Sequence, residues 1–365
     1  MNEALYSTRN CFQQRVLALT VWAALALSVT AQPVPGKGAA APAKSTLPAN
    51  ARSEEVKFSG QGLTLAGTLL LPKLEAGKRA PAILLVGGAG AATRDGASLN
   101  QIPHTLYREL AEHFVGQGWV VLRYDKRCAG TGACQPKTNF DLLVDDARGA
   151  LAFLRKRAEV EPAQVFLLGH GEGGMVSSVV ASNDETLAGL IMVAAPGRTL
   201  NKVLREQMLF RMKEAGRKEA DMVAQLARFD RLVRAITTGM AEELRAGLDP
   251  KNPDDAMLLM VIGQADFMIP LFINDPLQIA NSIKAPVLIL QGEKDVEMSV
   301  KDAQYLNEAF HRAQHPDHTL RLLPDVDHLL KANKGAASTA IYTTTRPVEA
   351  GVLALLTEWS QKRLK

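Results

Sequence analysis

The chain has 365 residues, 47% of them hydrophobic and 22% charged, proportions that exclude a disordered or collagen-like polypeptide. Its 42 basic and 38 acidic side chains leave a net charge of +4, too nearly balanced for a dedicated nucleic-acid surface. An aromatic content of 5% also argues against a base-stacking or carbohydrate-stacking platform.

Residues 1–31 read as an export signal. Arg9 and Arg15 supply a basic start, and residues 16–30 (VLALTVWAALALSVT) form a mostly apolar stretch, shorter than the roughly 20 residues that span a bilayer. Val29 and Ala31 are small residues suited to cleavage after Ala31. A periplasmic or secreted mature chain is therefore expected, with no stable membrane insertion after cleavage. Residues 32–52 (QPVPGKGAAAPAKSTLPANAR) are rich in Pro and Ala and read as a semi-extended tether. Cys11 precedes the apolar stretch. The other two cysteines, Cys128 and Cys134, share the short loop CAGTGAC; in an oxidising compartment a local disulfide is expected, contributing about 2 kcal/mol through chain entropy.

The folded part begins with two strand-like runs, 54–58 and 63–71, joined by Ser59-Gly60-Gln61-Gly62, a hairpin signal. Short buried runs then alternate with helical spacing. Strand 82–86 (AILLV) leads into Gly87-Gly88-Ala89-Gly90, helix 105–115 into strand 119–124 (WVVLRY), and helix 141–156 into strand 165–168 (VFLL). Helix 173–181 and strand 187–193 follow. From 198 to 282 the alternation stops, with helical patterns at 203–215, 220–237 and 240–246 and an apolar run at 256–273. It resumes with strand 286–291 (PVLILQ), helix 300–313, strand 319–323 and helix 346–363. The pattern predicts an α/β fold: a mostly parallel central sheet with helices on both faces. Its core lies in two parts, 53–197 and 283–365, separated by a helical insertion at 198–282 that reads as a cap.

The turn Gly169-His170-Gly171-Glu172-Gly173 sits between a buried strand and a small-residue helix. That is the context of the nucleophile elbow, G-x-S-x-G, whose glycines let strand and helix pack closely. Here the central residue is Gly171, so the hydroxyl is missing. Asp295 follows strand 286–291, and His328 follows strand 319–323. This is the chain order in which a carboxylate orients an imidazole that moves the nucleophile's proton. The backbone N–H groups of Ala89 and Glu172 are expected to form an oxyanion hole. His170 is expected to pack behind the turn; Asp325 and Asp327 flank His328 and compete as its partner, but Asp295 is preferred because a residue after a neighbouring strand reaches the imidazole from behind. His311, His315 and His318 are closely spaced, but Pro316 interrupts them; a solvated cluster is expected rather than a metal site. The glycines of the turn lack a following P-loop lysine or ribose-binding acid. No metal or cofactor is expected.

Seven segments carry a resemblance: LAGTLLLP (65–72), LLVGGAGAATRDG (84–96), VLRYDKR (121–127), LLGHGEGG (167–174), VAAPGRTL (193–200), LILQGEKD (288–295) and DHLL (327–330). In them the chain resembles the α/β-hydrolase superfamily, in particular bacterial secreted esterase and serine-aminopeptidase-like members. The resemblance implies the α/β-hydrolase fold and hydrolysis of carboxylic esters or amides. It also implies serine at the position held by Gly171 and usually glycine at that of Cys128. The reading of the residues leaves three outcomes. His328, held by Asp295, activates a water in place of the serine; or the protein is a pseudoenzyme that binds an ester-, amide- or lactone-like small molecule without turning it over; or proton abstraction by His328 has replaced hydrolysis.

Overall fold

The computed structural model of the chain describes residues 47–89, 93–96, 104–127 and 138–364. The expected signal at 1–31, most of the tether at 32–52, and the expected Cys128–Cys134 disulfide lie outside the described residues. Among the described residues no helix is long and apolar enough to cross a membrane. They divide into two compact units, with Thr199–Asp275 in one and the sheet in the other.

Among the described residues the sheet has eight strands: β1 (Ala51–Gly60), β2 (Leu63–Pro72), β3 (Ala80–Val86), β4 (Val120–Tyr124), β5 (Val160–His170), β6 (Gly189–Val193), β7 (Val287–Gly292) and β8 (His318–Leu323). Their order is β1-β2-β4-β3-β5-β6-β7-β8. The first two strands form the expected antiparallel hairpin, and β2 pairs antiparallel with β4. From β4 onward every pairing is parallel. Central parallel strands are covered on both faces and therefore read as continuous apolar runs; Ala82, Ile83 and Leu84 of β3 and Val165–Leu168 of β5 are fully buried. The chain leaves β3 for a neighbour on one side and returns to β5 on the other. In open α/β sheets such a reversal marks where ligands are taken, which here is the carboxyl ends of β3 and β5.

Among the described residues five helices belong to the sheet unit: α1 (Leu106–Gly116), α2 (Phe140–Arg155), α3 (Glu172–Ala181), α9 (Val300–Arg312) and α10 (Ala350–Gln361), the numbers α4–α8 falling in the other unit. The helix α1 buries Leu106, Leu110, Ala111, Phe114 and Val115 at helical spacing. A run of edge-on aromatic contacts joins it to the sheet and to α10: Phe114 to Trp119 at 5.5 Å, Trp119 to Phe166 at 5.1 Å, and Phe166 to Trp359 at 6.3 Å between ring centroids.

The second unit is helical throughout its described length: α4 (Leu200–Glu214), α5 (Glu219–Thr237), α6 (Ala241–Arg245), α7 (Pro253–Gly263) and α8 (Ala265–Ile273). The apolar run expected at 256–273 is two helices. Gly263 closes the first, and Gln264 starts the second by accepting from the Met268 N–H at 2.9 Å. Phe229 and Leu232 of α5 are almost fully buried within this unit. A 3-10 turn, Pro276–Ser282, leads back to β7 and belongs with the sheet unit.

Candidate active site

Strand β5 ends at His170 and α3 begins at Glu172, so Gly171 alone makes the turn. Its φ of 54° and ψ of −121° lie where an L side chain is strained by about 1–3 kcal/mol. The Gly171 N–H donates to the Val193 carbonyl at 2.9 Å, and the Gly171 carbonyl accepts from the Gly174 N–H at 2.9 Å. There is room beside it. A Cβ at Gly171 would meet nothing closer than Gly88 Cα and His328 Cε1 and Nε2, all at 3.8 Å. Gly173 is a different case, because a Cβ there would run into the carbonyl oxygens of Val86 and Gly87. Only glycine lets α3 come this close to the end of β3.

The imidazole that faces Gly171 is fixed from its other side. His328 Nδ1 lies 2.9 Å from Asp295 Oδ2. The Asp295 carboxylate is fully buried: Oδ1 accepts from the Glu297 and Met298 N–H groups at 2.7 and 2.8 Å, and Oδ2 also accepts from Gln291 Nε2 at 3.0 Å. Burial pulls the His328 pKa down, but the charge and hydrogen bond of Asp295, followed by Glu297 and Asp327, outweigh it and raise the pKa above the usual histidine value. Asp327 is engaged elsewhere. Its Oδ1 accepts from the Leu329 and Lys331 N–H groups at 2.9 and 3.1 Å, and its Oδ2 from Arg346 at 2.5 Å. Asp325 pairs with Lys294 at 3.8 Å.

The loop after β3 meets the elbow at Gly88. The Gly88 N–H donates to Tyr107 Oη at 2.7 Å, so the next N–H along that loop is Ala89's. Glu172 opens α3, where an N–H lies ahead of the first intrahelical acceptor and at the positive end of the helix dipole. Its buried carboxylate is neutralised by Lys126, whose Nζ donates to Oε1 at 2.6 Å and to the Gly88 carbonyl at 3.3 Å. His170 packs behind the turn with both ring nitrogens bonded, Nδ1 to Tyr107 Oη at 3.0 Å and Nε2 to the His328 carbonyl at 2.8 Å. Burial, followed by the charges of His328 and His104, holds its pKa well below the usual value. His104 is likewise pushed down to about 4, by burial and then by Lys331, His328 and Arg346. Arg94 braces the same loop through Asp125, donating from its backbone at 2.8 Å and from Nη2 at 2.7 Å.

Sequence reading missed Gln291, Lys126 and Tyr107. The first two left a weak trace, a polar end to an apolar strand in LILQ and the basic pair after β4 in YDKR; Tyr107 left none. Of the three clustered histidines only His315 departs from a solvated surface, His311 being exposed and His318 half-buried. His315 is buried, packs edge-on against Phe310 at 5.3 Å and accepts from the Asp317 N–H at 3.3 Å. Its backbone N–H also donates to the Phe310 carbonyl at 3.0 Å, which folds the turn after α9 back over the end of that helix. Among the described residues no His, Cys, Asp or Glu group of three forms a metal-binding set.

A family model described as serine aminopeptidase, S33, matches residues 104–334, more than half of the chain. The chain belongs to this family. Esterase EstD of Thermotoga maritima is 25% identical over 301 residues, covering 82% of this chain and 66% of that protein, so the chain spans slightly under two thirds of that relative's length. Among solved structures, Pyrococcus furiosus esterase Pf2001 superposes with a TM-score of 0.56 at 14% identity, covering 91% of this chain and 97% of that one. The α/β hydrolase GrgF of a Penicillium species gives 0.53 at 18% identity, with 86% and 98% covered. These structures share the α/β-hydrolase fold, which the sheet order also displays.

Proposed function

We propose that this S33-family protein is an exported carboxylic ester hydrolase that uses water directly, in place of a serine at position 171. One observation carries the reading: His328, bonded to Asp295 through Nδ1, has Nε2 3.8 Å from the point where a Cβ of residue 171 would stand. A water beside Gly171 gives its proton to Nε2 and attacks the ester carbonyl. The tetrahedral oxyanion is met by the N–H groups of Ala89 and Glu172, and Lys126 offsets the adjacent Glu172 carboxylate. Collapse breaks the ester C–O bond, and the proton on Nε2 passes to the departing alkoxide. No covalent acyl-enzyme forms. The esterase named among the relatives favours esters as the substrate class, with amides as the harder variant of the same step. The reading of residues 1–31 as an export signal supports the periplasm or the outside of the cell as the place of this chemistry.

The experiment compares the purified chain with His328→Ala on short-chain nitrophenyl esters. Turnover in the parent without a burst of nitrophenol, lost in His328→Ala, supports the water mechanism. Equal rates in the two proteins overturn it, and no turnover in either favours the pseudoenzyme reading, a protein that binds an ester-like molecule without cleaving it.

A further inference from the structure

We propose that His170 and Tyr107 are positioning residues: a hydrogen-bond relay with a single proton order that ties the backbone of His328 to the backbone of Gly88 and thereby sets the His328 imidazole beside Gly171. The relay has two fixed ends. The Gly88 N–H only donates, so Tyr107 Oη accepts from it at 2.7 Å and must send its own proton onward to His170 Nδ1 at 3.0 Å. At the far end the His328 carbonyl only accepts, so His170 Nε2 carries a hydrogen and donates at 2.8 Å. Only the neutral imidazole with its hydrogen on Nε2 matches each donor to an acceptor. A second proton on Nδ1 would face the Tyr107 hydroxyl and leave that hydroxyl's hydrogen without an acceptor in the relay.

The surroundings press the same way. Both side chains are buried, and an unmatched buried polar group costs about 1–3 kcal/mol. The titratable groups facing His170 are His328, His104 and Tyr107; the two histidines disfavour a positive charge on it. Burial, and then Glu172, keeps Tyr107 protonated by raising its pKa.

The relay joins three loops that the sheet brings together but does not itself register: the one after β3, the elbow, and the one after β8. The last needs an outside tether, since Asp325 and Leu330 on either side of His328 have φ of 56° and 59°, conformations that persist only when their neighbours enforce them. Asp295 fixes one ring nitrogen of His328, and His170 fixes the backbone behind the ring. The ring centroids of the two histidines are 4.4 Å apart. For the reaction itself the inference rests on the ester-hydrolase reading; the proton order does not.

Two readouts test it on the full chain. In nitrogen-15 spectra of histidine-labelled protein, His170 is expected to show a hydrogen-bearing Nε2 and a bare Nδ1, unchanged from about pH 5 to about pH 9. In Tyr107→Phe the hydrogen is expected to stay on Nε2, which the His328 carbonyl still fixes, while the bare Nδ1 resonance shifts because it has lost the hydroxyl's hydrogen bond. Hydrogen on Nδ1 of His170 in the parent, or a charged ring at neutral pH, overturns the proposal whether or not the protein turns over esters. The second readout compares His170→Gln, whose amide nitrogen reaches the Nε2 position, with His170→Asn, whose amide does not. The Gln variant is expected to keep kcat within about tenfold, while Asn loses on the order of a hundredfold at unchanged KM, as displaced catalytic groups do. Equal loss in two well-folded variants overturns the positioning role. If the parent shows no hydrolysis, the ester reading fails and the spectra alone decide the relay: His328 resonances that match the parent in Gln and shift in Asn support it, and identical spectra of the two variants overturn it.

Discussion

Gly171→Ser is the most informative single change, because its cost and its gain come from different features of the site. The cost is conformational. A φ of 54° strains a non-glycine residue by about 1–3 kcal/mol, while a Cβ there keeps 3.8 Å from Gly88 Cα and from His328, so no clash adds to the strain. A fall of a few degrees in melting temperature follows, since a domain of this size loses roughly 2–4 °C per kcal/mol. The gain is chemical. A hydroxyl one bond beyond that Cβ comes within hydrogen-bond range of His328 Nε2, restoring a nucleophile whose removal costs on the order of a millionfold, about 8 kcal/mol. Binding and the oxyanion donors alone retain roughly 10³–10⁴ over water. The expected rise in kcat on a short-chain nitrophenyl ester is therefore at least on the order of a thousandfold, with a burst of nitrophenol and stoichiometric labelling by a serine-directed phosphonate at position 171. A folded Gly171→Ser protein that gains no rate and takes no label would refute the reasoning, because it would mean that Nε2 of His328 does not reach the nucleophile position.

Two further outcomes follow from charges the fold has buried. A base acts only when unprotonated, and Asp295 raises the pKa of His328 against the effect of burial. The rate is thus expected to climb with pH through a midpoint above 6.5, the ordinary value, and Asp295→Asn to lower both that midpoint and kcat, the latter by about 10⁴; a pH–rate profile with its midpoint unmoved in Asp295→Asn contradicts this. The same raised pKa contributes stability that is present below pH 6.5 and lost as pH rises through the folded-state value. In the core, Arg127 grips Asp146 with both arms, at 2.8 and 2.7 Å, and the two side chains are 0% and 2% exposed. Asp146→Ala leaves that guanidinium buried without its partner and is expected to cost about 3–5 kcal/mol, read from urea unfolding; a loss below about 1 kcal/mol would show that solvent reaches Arg127.

Much of the frame was legible because central parallel strands announce themselves as unbroken apolar runs, and because the residues placed after 82–86, 165–168 and 286–291 fall at the same edge of one sheet. The ends of elements were less so. Strand β5 starts at Val160, ahead of its apolar run, because Val160 already pairs with Ala80, and the stretch EPAQ then falls in an irregularity before pairing resumes at Val165 with Ala82; pairing of this kind depends on the neighbouring strand and leaves no alternation. The break at Gly263-Gln264 was hidden by apolar residues on both sides. Tyr107 could not be found at all, since its partner His170 is 63 positions away and a tyrosine on an amphipathic helix looks like any core residue. The signal for Asp295 over Asp327 lay in its place after a strand, whereas the reason is local. Asp327 accepts from its own loop's N–H groups and from Arg346, while the carboxylate bonded to the imidazole is that of Asp295.

The elbow keeps its shape without the hydroxyl for a physical reason. Every bond that defines the turn is made by backbone: the Gly171 N–H to Val193, the Gly171 carbonyl to the Gly174 N–H, and the close approach of Gly173 to Val86. The imidazole is held by Asp295, which is itself held by Gln291, Glu297 and Met298. None of these contacts involves a side chain at position 171. A serine there would be a strained passenger on a frame already complete, so glycine in its place relieves strain and gives up only the hydroxyl's own bond to His328. The frame and the reacting group are therefore independent, and catalytic power can fall by orders of magnitude while the site's geometry persists.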